Sequence, residues 1–162
     1  MFERIDEIVY NGSMHKHLRT AMAYAKSNAY DEPLDYHLCA LIVRGGAIIS
    51  VGFNKTNTNA FVEHYTDIAR GHRDWCMNTH AEMDAILKVR GKIDLRGCKI
   101  FVVRRRKLDG QAANARPCEI CQHVLYNYGI KRAYYTITDN DFGQMKIVNP
   151  ATIYDKMVIS EK

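Results

Sequence analysis

The sequence predicts an α/β fold of three layers, α/β/α, built on a mixed five-stranded sheet. Two observations carry this. Apolar stretches of strand length alternate with helix-length segments in the order α-β-β-α-β-α-β-β-α, which calls for helices on both faces of one sheet. The third and fourth strands are joined through a helix and should run parallel, whereas the gap between the fourth and fifth is too short for one and implies an antiparallel pair.

Each element has a local reason. Ser13 precedes Met14, Leu18, Ala21, Met22 and Ala25, an apolar stripe at helical spacing behind a good N-cap, and this helix ends near Lys26 to Asn28. Tyr36 to Arg44 and Ala47 to Phe53 read as strands separated only by Gly45-Gly46, the pair a tight hairpin needs. Residues Lys55 to Asn78 form a polar stretch without a clear period, long enough to be a functional loop or to hide a short helix. Thr79 then opens a helix with Met83, Ile86 and Leu87 on its buried side and Gly91 as its stop.

Cys98 to Val103 is the third strand, and Arg104 to Ala115 reads as a loop that is basic at its start. Pro117 is placed as the first residue of another helix, with Val124, Leu125 and Tyr128 on one face and Gly129 at its end. Ile130 to Thr136 and Gln144 to Val148 are the fourth and fifth strands, and Asn149-Pro150 starts a final helix to about Ile159.

A chain of 162 residues is the length of one domain, so residues 1–162 are expected to form a single unit. Hydrophobic residues at 47% and charged residues at 25% are ordinary globular values and exclude a disordered tail or a fibrous repeat. No apolar run approaches the roughly 18 residues that span a bilayer, so no membrane partner is expected. The first residues mix acids with apolar side chains and lack a basic region before an apolar one, unlike an export signal. The expected setting is the reducing cytoplasm. A net charge of +5 is mildly basic, enough to favour a phosphate and too little to mark a nucleic-acid protein.

Two segments carry chemistry. Thr79-His80-Ala81-Glu82 and Pro117-Cys118-Glu119-Ile120-Cys121 each lie at the first turn of an expected helix. Helix starts offer free N–H groups and a positive dipole end, which favour thiolate over thiol. Cys118 and Cys121, three residues apart, share a helix face and can reach one ion. With His80 they make a nitrogen-and-sulfur ligand set suited to zinc, with a fourth position open for water. Glu82, two residues past His80, is better placed beside that water than on the metal. Zinc lowers the pKa of a coordinated water to about 7, and a nearby carboxylate can take and pass on its proton.

These residues resemble the zinc-dependent cytidine and deoxycytidylate deaminase superfamily, whose H-x-E…P-C-x-x-C signature they match. The resemblance runs from about Met14 to Thr136. It implies that His80, Cys118 and Cys121 hold zinc and that Glu82 deprotonates the attacking water, protonates the ring nitrogen and helps ammonia leave. It further implies that Asn54 contacts the sugar and that the Ala81 N–H holds the base carbonyl. The expected activity is hydrolytic deamination of a cytosine nucleoside or nucleotide, with deoxycytidylate preferred. Expected partners are that small molecule and further copies of the chain in a homo-oligomer.

Other readings stay open. Arg104, Arg105 and Arg106, with Lys107, can contact a substrate phosphate or a nucleic-acid backbone, so an editing deaminase acting on RNA or single-stranded DNA is an alternative. A deaminase fold kept as a non-catalytic regulatory subunit is another. Cys118 and Cys121 alone fit a redox pair. Thr79 with Glu82 fits a capping box. Asn54 fits a turn cap, and Asp84 fits a surface acid facing Lys88. His64, His72 and Cys76 could hold a second, structural zinc, Trp75 and Tyr65 could cover the pocket mouth, and Cys39 and Cys98 read as core.

Overall fold

The computed structural model describes residues 7–12, 14–28, 35–57, 59–70 and 78–149, with the backbone alone for 66–70. The elements are β1 (Glu7–Asn11), α1 (Lys16–Asn28), β2 (Tyr36–Arg44), β3 (Ala47–Phe53), α2 (Ala60–Arg70) and α3 (Ala81–Val89). They continue with β4 (Lys99–Arg106), β5 (Ala112–Ala113), α4 (Glu119–Asn127), β6 (Arg132–Thr136) and β7 (Asp141–Lys146). The sheet runs β1-β7-β6-β4-β2-β3, with β5 added beside β4. β4 and β6 are parallel and β6 and β7 antiparallel, as the connection lengths require. Seven strands stand where five were expected: β1 pairs with β7, and β5 is a two-residue addition.

Strand alternation divides the core in two. Ala40 and Ile42 of β2 and Ile100 and Val102 of β4 face α2, α3 and α4, where they meet Val62, Met83, Ile86, Val124 and Leu125. Cys39, Leu41 and Val43 of β2 and Phe101 and Val103 of β4 face the other way, against Leu18, Ala21 and Ala25 of α1. Each fully buried aliphatic side chain of this kind contributes about 1.5–3 kcal/mol. Helices therefore cover both faces, and Cys39 and Cys98 are core residues.

The β2–β3 hairpin turns on Gly45 and Gly46, both with positive φ (57° and 82°), the conformation a two-residue turn of this hand demands. The polar stretch before His80 does hide a helix, α2, docked on α4 through Phe61, Tyr65 and Tyr128. Several boundaries differ from expectation: the strand expected from Gln144 to Val148 is β7, Asp141–Lys146, which begins earlier because β6 and β1 both pair with its first residues. β4 runs on through Arg104, Arg105 and Arg106, because β2 and the returning β5 supply ladder partners that residue preference could not reveal. The last helices start later: His80 is the N-cap of α3, and Cys118, not Pro117, begins α4 as its N-cap. The final helix expected from Pro150 to Ile159 lies outside the described residues.

Candidate active site and metal centre

Two helix starts meet at the same place. His80 adopts extended backbone (φ −78°, ψ 154°) and its carbonyl accepts the first α3 bond from the Asp84 N–H at 3.0 Å. Thr79 is drawn backwards: its hydroxyl donates to the Asn57 carbonyl at 2.8 Å, and its backbone pairs with Asn57 and Lys55. Thr79 therefore does not cap α3, and the capping box with Glu82 is not formed. Cys118, also extended, turns its sulfur to accept the Cys121 N–H at 3.5 Å, while the buried Gln122 amide donates to the Pro117 carbonyl at 2.8 Å.

The result is a cluster of three donors. His80 Nδ1 lies 3.3 Å from Cys121 Sγ and 3.5 Å from Cys118 Sγ, and all three ligand atoms fall within 4.8 Å of one another. Bonds of about 2.0–2.3 Å in a tetrahedral zinc site separate neighbouring donors by about 3.5 Å. The side chains thus fit the ion closely, with a soft donor set that suits zinc.

The electrostatics agree. Hydrogen bonding to Cys121 and to the His80 ring holds the Cys118 thiol well below its ordinary range, despite burial. Burial opposes charge on His80, yet its bond to Cys118 pushes the imidazole up to about 9. Burial raises Cys121 well above the usual thiol value. A bound cation needs thiolates and a neutral imidazole, so loading this cluster would displace the protons that His80 and Cys121 hold without it.

Glu82 is 3% exposed. Burial raises its carboxyl, with the His80 charge opposing, and its Oε1 has no hydrogen-bond partner among the described residues. A buried carboxylate oxygen without a partner is costly in a folded chain. Beside three metal-type donors, it points to a ligand position that protein atoms leave open.

A cleft of about 420 Å³ opens onto His80 and is also lined by Thr79, Asn54, Lys55, Tyr36 and Arg104. Ala81 is fully buried at the first position of α3, where its N–H has no acceptor within the helix. Asn54 caps a strand and lines the cleft at once: its Oδ1 accepts the Leu38 N–H at 2.9 Å, and its Nδ2 donates to the Tyr36 carbonyl at 3.1 Å.

The arginines separate by strand parity. Arg104 pairs with Leu38 in register and faces the cleft, where its guanidinium stacks on Tyr36 and its buried Nε has no partner. Arg105 pairs with His37 and points to the opposite face, where its guanidinium lies beside Gly110. Arg106 returns to the cleft side, in a neighbouring cavity of about 590 Å³ shared with Tyr36 and Lys107, and makes a loose ion pair with Asp109 at 3.6 Å. Tyr36 was not singled out by the sequence; its place two positions from Leu38 on the same strand face was the available signal.

Other candidates fall elsewhere. Tyr65 is packed between α2 and α4, accepting a bond from Asn127 at 3.1 Å, and does not line the cleft. Trp75, His72 and Cys76 lie outside the described residues, and His64 rests edge-on against Tyr65. Among the described residues, His80, Cys118 and Cys121 are the group that can hold a metal. No helix among them is long and apolar enough to cross a membrane.

A family profile described as the cytidine and deoxycytidylate deaminase zinc-binding region matches residues 13–137. The chain belongs to this family of deaminases. No curated protein matches the deaminase sequence. Among solved structures, it is similar to the dCMP deaminase of cyanophage S-TIM5 in its apo form, at 19% identity and a TM-score of 0.48, over 76% of this chain and 86% of that one. The same phage enzyme in complex with dCMP and dUMP aligns at 20% identity and a TM-score of 0.47, over 75% and 82%. A Thermotoga maritima diaminohydroxyphosphoribosylaminopyrimidine deaminase/5-amino-6-(5-phosphoribosylamino)uracil reductase aligns at 23% and 0.37, over 73% of this deaminase and 29% of that chain. Zinc is the metal of the family, and His80, Cys118 and Cys121 can hold it.

Proposed function

We propose that this deaminase hydrolyses the exocyclic amine of a cytosine nucleotide, with deoxycytidylate as the preferred substrate and deoxyuridylate and ammonia as products. The observation that carries the nucleotide reading is Arg104. Its guanidinium is half-buried in the cleft that holds His80, its Nε lacks a partner, and no ion pair with a carboxylate is formed by it among the described residues. A partly buried cation of this kind calls for an anion, and two oxygens of a 5′-phosphate match the donor fork of the planar guanidinium.

His80, Cys118 and Cys121 would hold the zinc, which when bound would supply Lewis-acid activation of a water molecule. Glu82 takes a proton from the attacking water at Oε1 and delivers it to the ring nitrogen adjoining the amino-bearing carbon. The oxygen of that water adds to the amino-bearing carbon; Glu82 then carries the proton of the new hydroxyl to the amine, the carbon–nitrogen bond breaks as the carbonyl forms, and ammonia leaves. Burial of Glu82 favours this, because a carboxyl raised above its ordinary value is a stronger proton acceptor than an exposed one. The Ala81 N–H orients the base carbonyl and Asn54 the sugar. Arg104, with Arg106 further along the same strand face, receives the phosphate; Arg105 is excluded by its direction.

The reading includes a homo-oligomer in the cytoplasm, to be tested by light scattering and by fractionation. The central experiment measures bound zinc in the purified protein and ammonia release from cytosine, cytidine, deoxycytidine, CMP, dCMP and dCTP. Stoichiometric zinc with the highest kcat/KM on dCMP supports the proposal. Equal rates on nucleoside and nucleotide would remove the phosphate contact, and release from none of them would remove the activity.

A further inference from the structure

We infer that Asp84 is a positioning residue that fixes Asn54 relative to the helix carrying His80 and Glu82. The sequence suggests a surface acid paired with Lys88, but Asp84 is 5% exposed and lies between α3 and β3. Its Oδ2 accepts the Phe53 N–H at 2.9 Å. Its Oδ1 meets Lys55 Nζ at 2.9 Å, and Lys88 Nζ reaches Oδ2 at 3.2 Å while also donating to the Val51 carbonyl at 2.7 Å. One carboxylate thus tethers the residue before Asn54 and the residue after it.

The neighbouring contacts make this tether consequential. At Gly52, two residues before Asn54, α3 approaches β3 so closely that a Cβ would stand 2.3 Å from the Ala81 carbonyl oxygen and from the Ala85 nitrogen. The Lys55 N–H donates to the Thr79 carbonyl at 2.9 Å, which ties the same stretch to the residue preceding His80. Asn54 then spans to β2 through Leu38 and Tyr36. The distance from Asn54 to the first turn of α3 is therefore set by the Asp84 carboxylate, which neither lines the cleft nor belongs to the group of metal-type donors. Three donors occupy both carboxylate oxygens, which fixes the group between β3 and α3.

The inference rests on the proposal that Asn54 contacts substrate, and the test separates the two. Asp84→Ala is expected to raise KM for dCMP at least tenfold, with kcat within threefold and zinc content unchanged. Asp84→Asn, which keeps an oxygen for the Phe53 N–H, is expected to recover most of that loss. The double variant Asn54→Ala/Asp84→Ala is expected to be no worse than Asn54→Ala alone, because the two act through one contact. NMR provides a readout independent of activity: the Asn54 side-chain amide resonances should shift in Asp84→Ala and by a smaller amount in Asp84→Asn, which keeps the Phe53 bond and loses the charge that pairs with Lys55; Asp84→Ser replaces the alanine variant should that one not fold. Unmoved Asn54 resonances in a folded variant overturn the inference whatever the kinetics. Moved resonances with KM within twofold of wild type uphold Asp84 as the positioner and remove Asn54 from the substrate site. A merely structural role would lower thermal stability and leave both readouts unchanged.

Discussion

The guanidinium carbon of Arg104 lies 3.8 Å from the ring centroid of Tyr36, although the residue facing Tyr36 in the β2–β4 register is Arg106. Arg104 therefore leans along the sheet, and the ring holds its planar group at the wall of the cleft. A charge-assisted hydrogen bond contributes about 1.5–3 kcal/mol, so Arg104→Ala should raise KM for dCMP by roughly 10- to 150-fold and leave deoxycytidine little changed. Arg104→Lys should not rescue it, since an ammonium neither stacks flat nor offers a fork. Arg105→Ala should match wild type. Steady-state kinetics on the two substrates checks all three.

The His80, Cys118 and Cys121 cluster predicts a coupling between metal and stability. Ligand binding to the folded form alone adds about 4 kcal/mol at a thousandfold excess over Kd. Chelator treatment should lower the Tm of the wild type, and zinc should restore it. Cys118→Ser and Cys121→Ser should start from the lower Tm and show no response to either addition, as read by calorimetry with metal analysis.

Glu82 should show opposite effects on rate and stability. Losing the proton-transfer group costs about 10²–10⁴-fold in rate, so Glu82→Gln should keep its zinc and lose most ammonia release. Because Oε1 is buried without a partner, removing the charge should not lower Tm and is expected to raise it. A variant retaining full activity would exclude Glu82 from catalysis.

At Gly52 the closest atoms to an added Cβ are backbone atoms of α3, which cannot rotate away. Overpacking of this kind costs about 1–3 kcal/mol. Gly52→Ala should lower the urea midpoint accordingly and, by pushing α3 from β3, raise KM as well. An unchanged midpoint would show that the two elements are not in contact.

Tyr135 offers a pH test. Burial, then its hydrogen bond to Glu7, raises its phenol above the ordinary value, and Arg116 holds the same carboxylate at 2.9 Å. A group whose pKa is raised on folding contributes fully below its unfolded value of about 10. The contribution is lost as pH rises through the folded value. Denaturation midpoints measured from pH 8 upward should fall less steeply for Tyr135→Phe than for wild type.

The clustering of His80, Cys118 and Cys121 was readable because two short motifs with fixed spacing carry them, and the helix starts on which they sit have local signals. The hairpin was readable from Gly45-Gly46 for the same reason. The features that escaped are set by distant partners. β1 is an edge strand whose Ile8, Val9 and Tyr10 stay exposed, so no buried alternation marks it. β4 carries three arginines because β2 and β5 pair with it, a tertiary effect that overrides residue preference. Once that strand is known to continue, period-two alternation is enough to set Arg105 apart from Arg104 and Arg106. Asp84 looked like a surface acid because its partners Phe53 and Lys55 lie about thirty residues upstream.

β4 runs through the core from Ile100 to Val103 and ends beside the cleft at Arg106 without a bulge in its pairing to β2. Its alternation is thus a fixed ruler, and a deletion or insertion of one residue between Val103 and Arg104 would reverse the facing of every arginine beyond it. Arg105 would slide into the seat beside Tyr36, and its neighbours would turn beneath the sheet toward α1. The facing of the arginines is consequently a matter of odd and even counting along one strand, which makes it sensitive to length changes and tolerant of exchanges at the positions facing away.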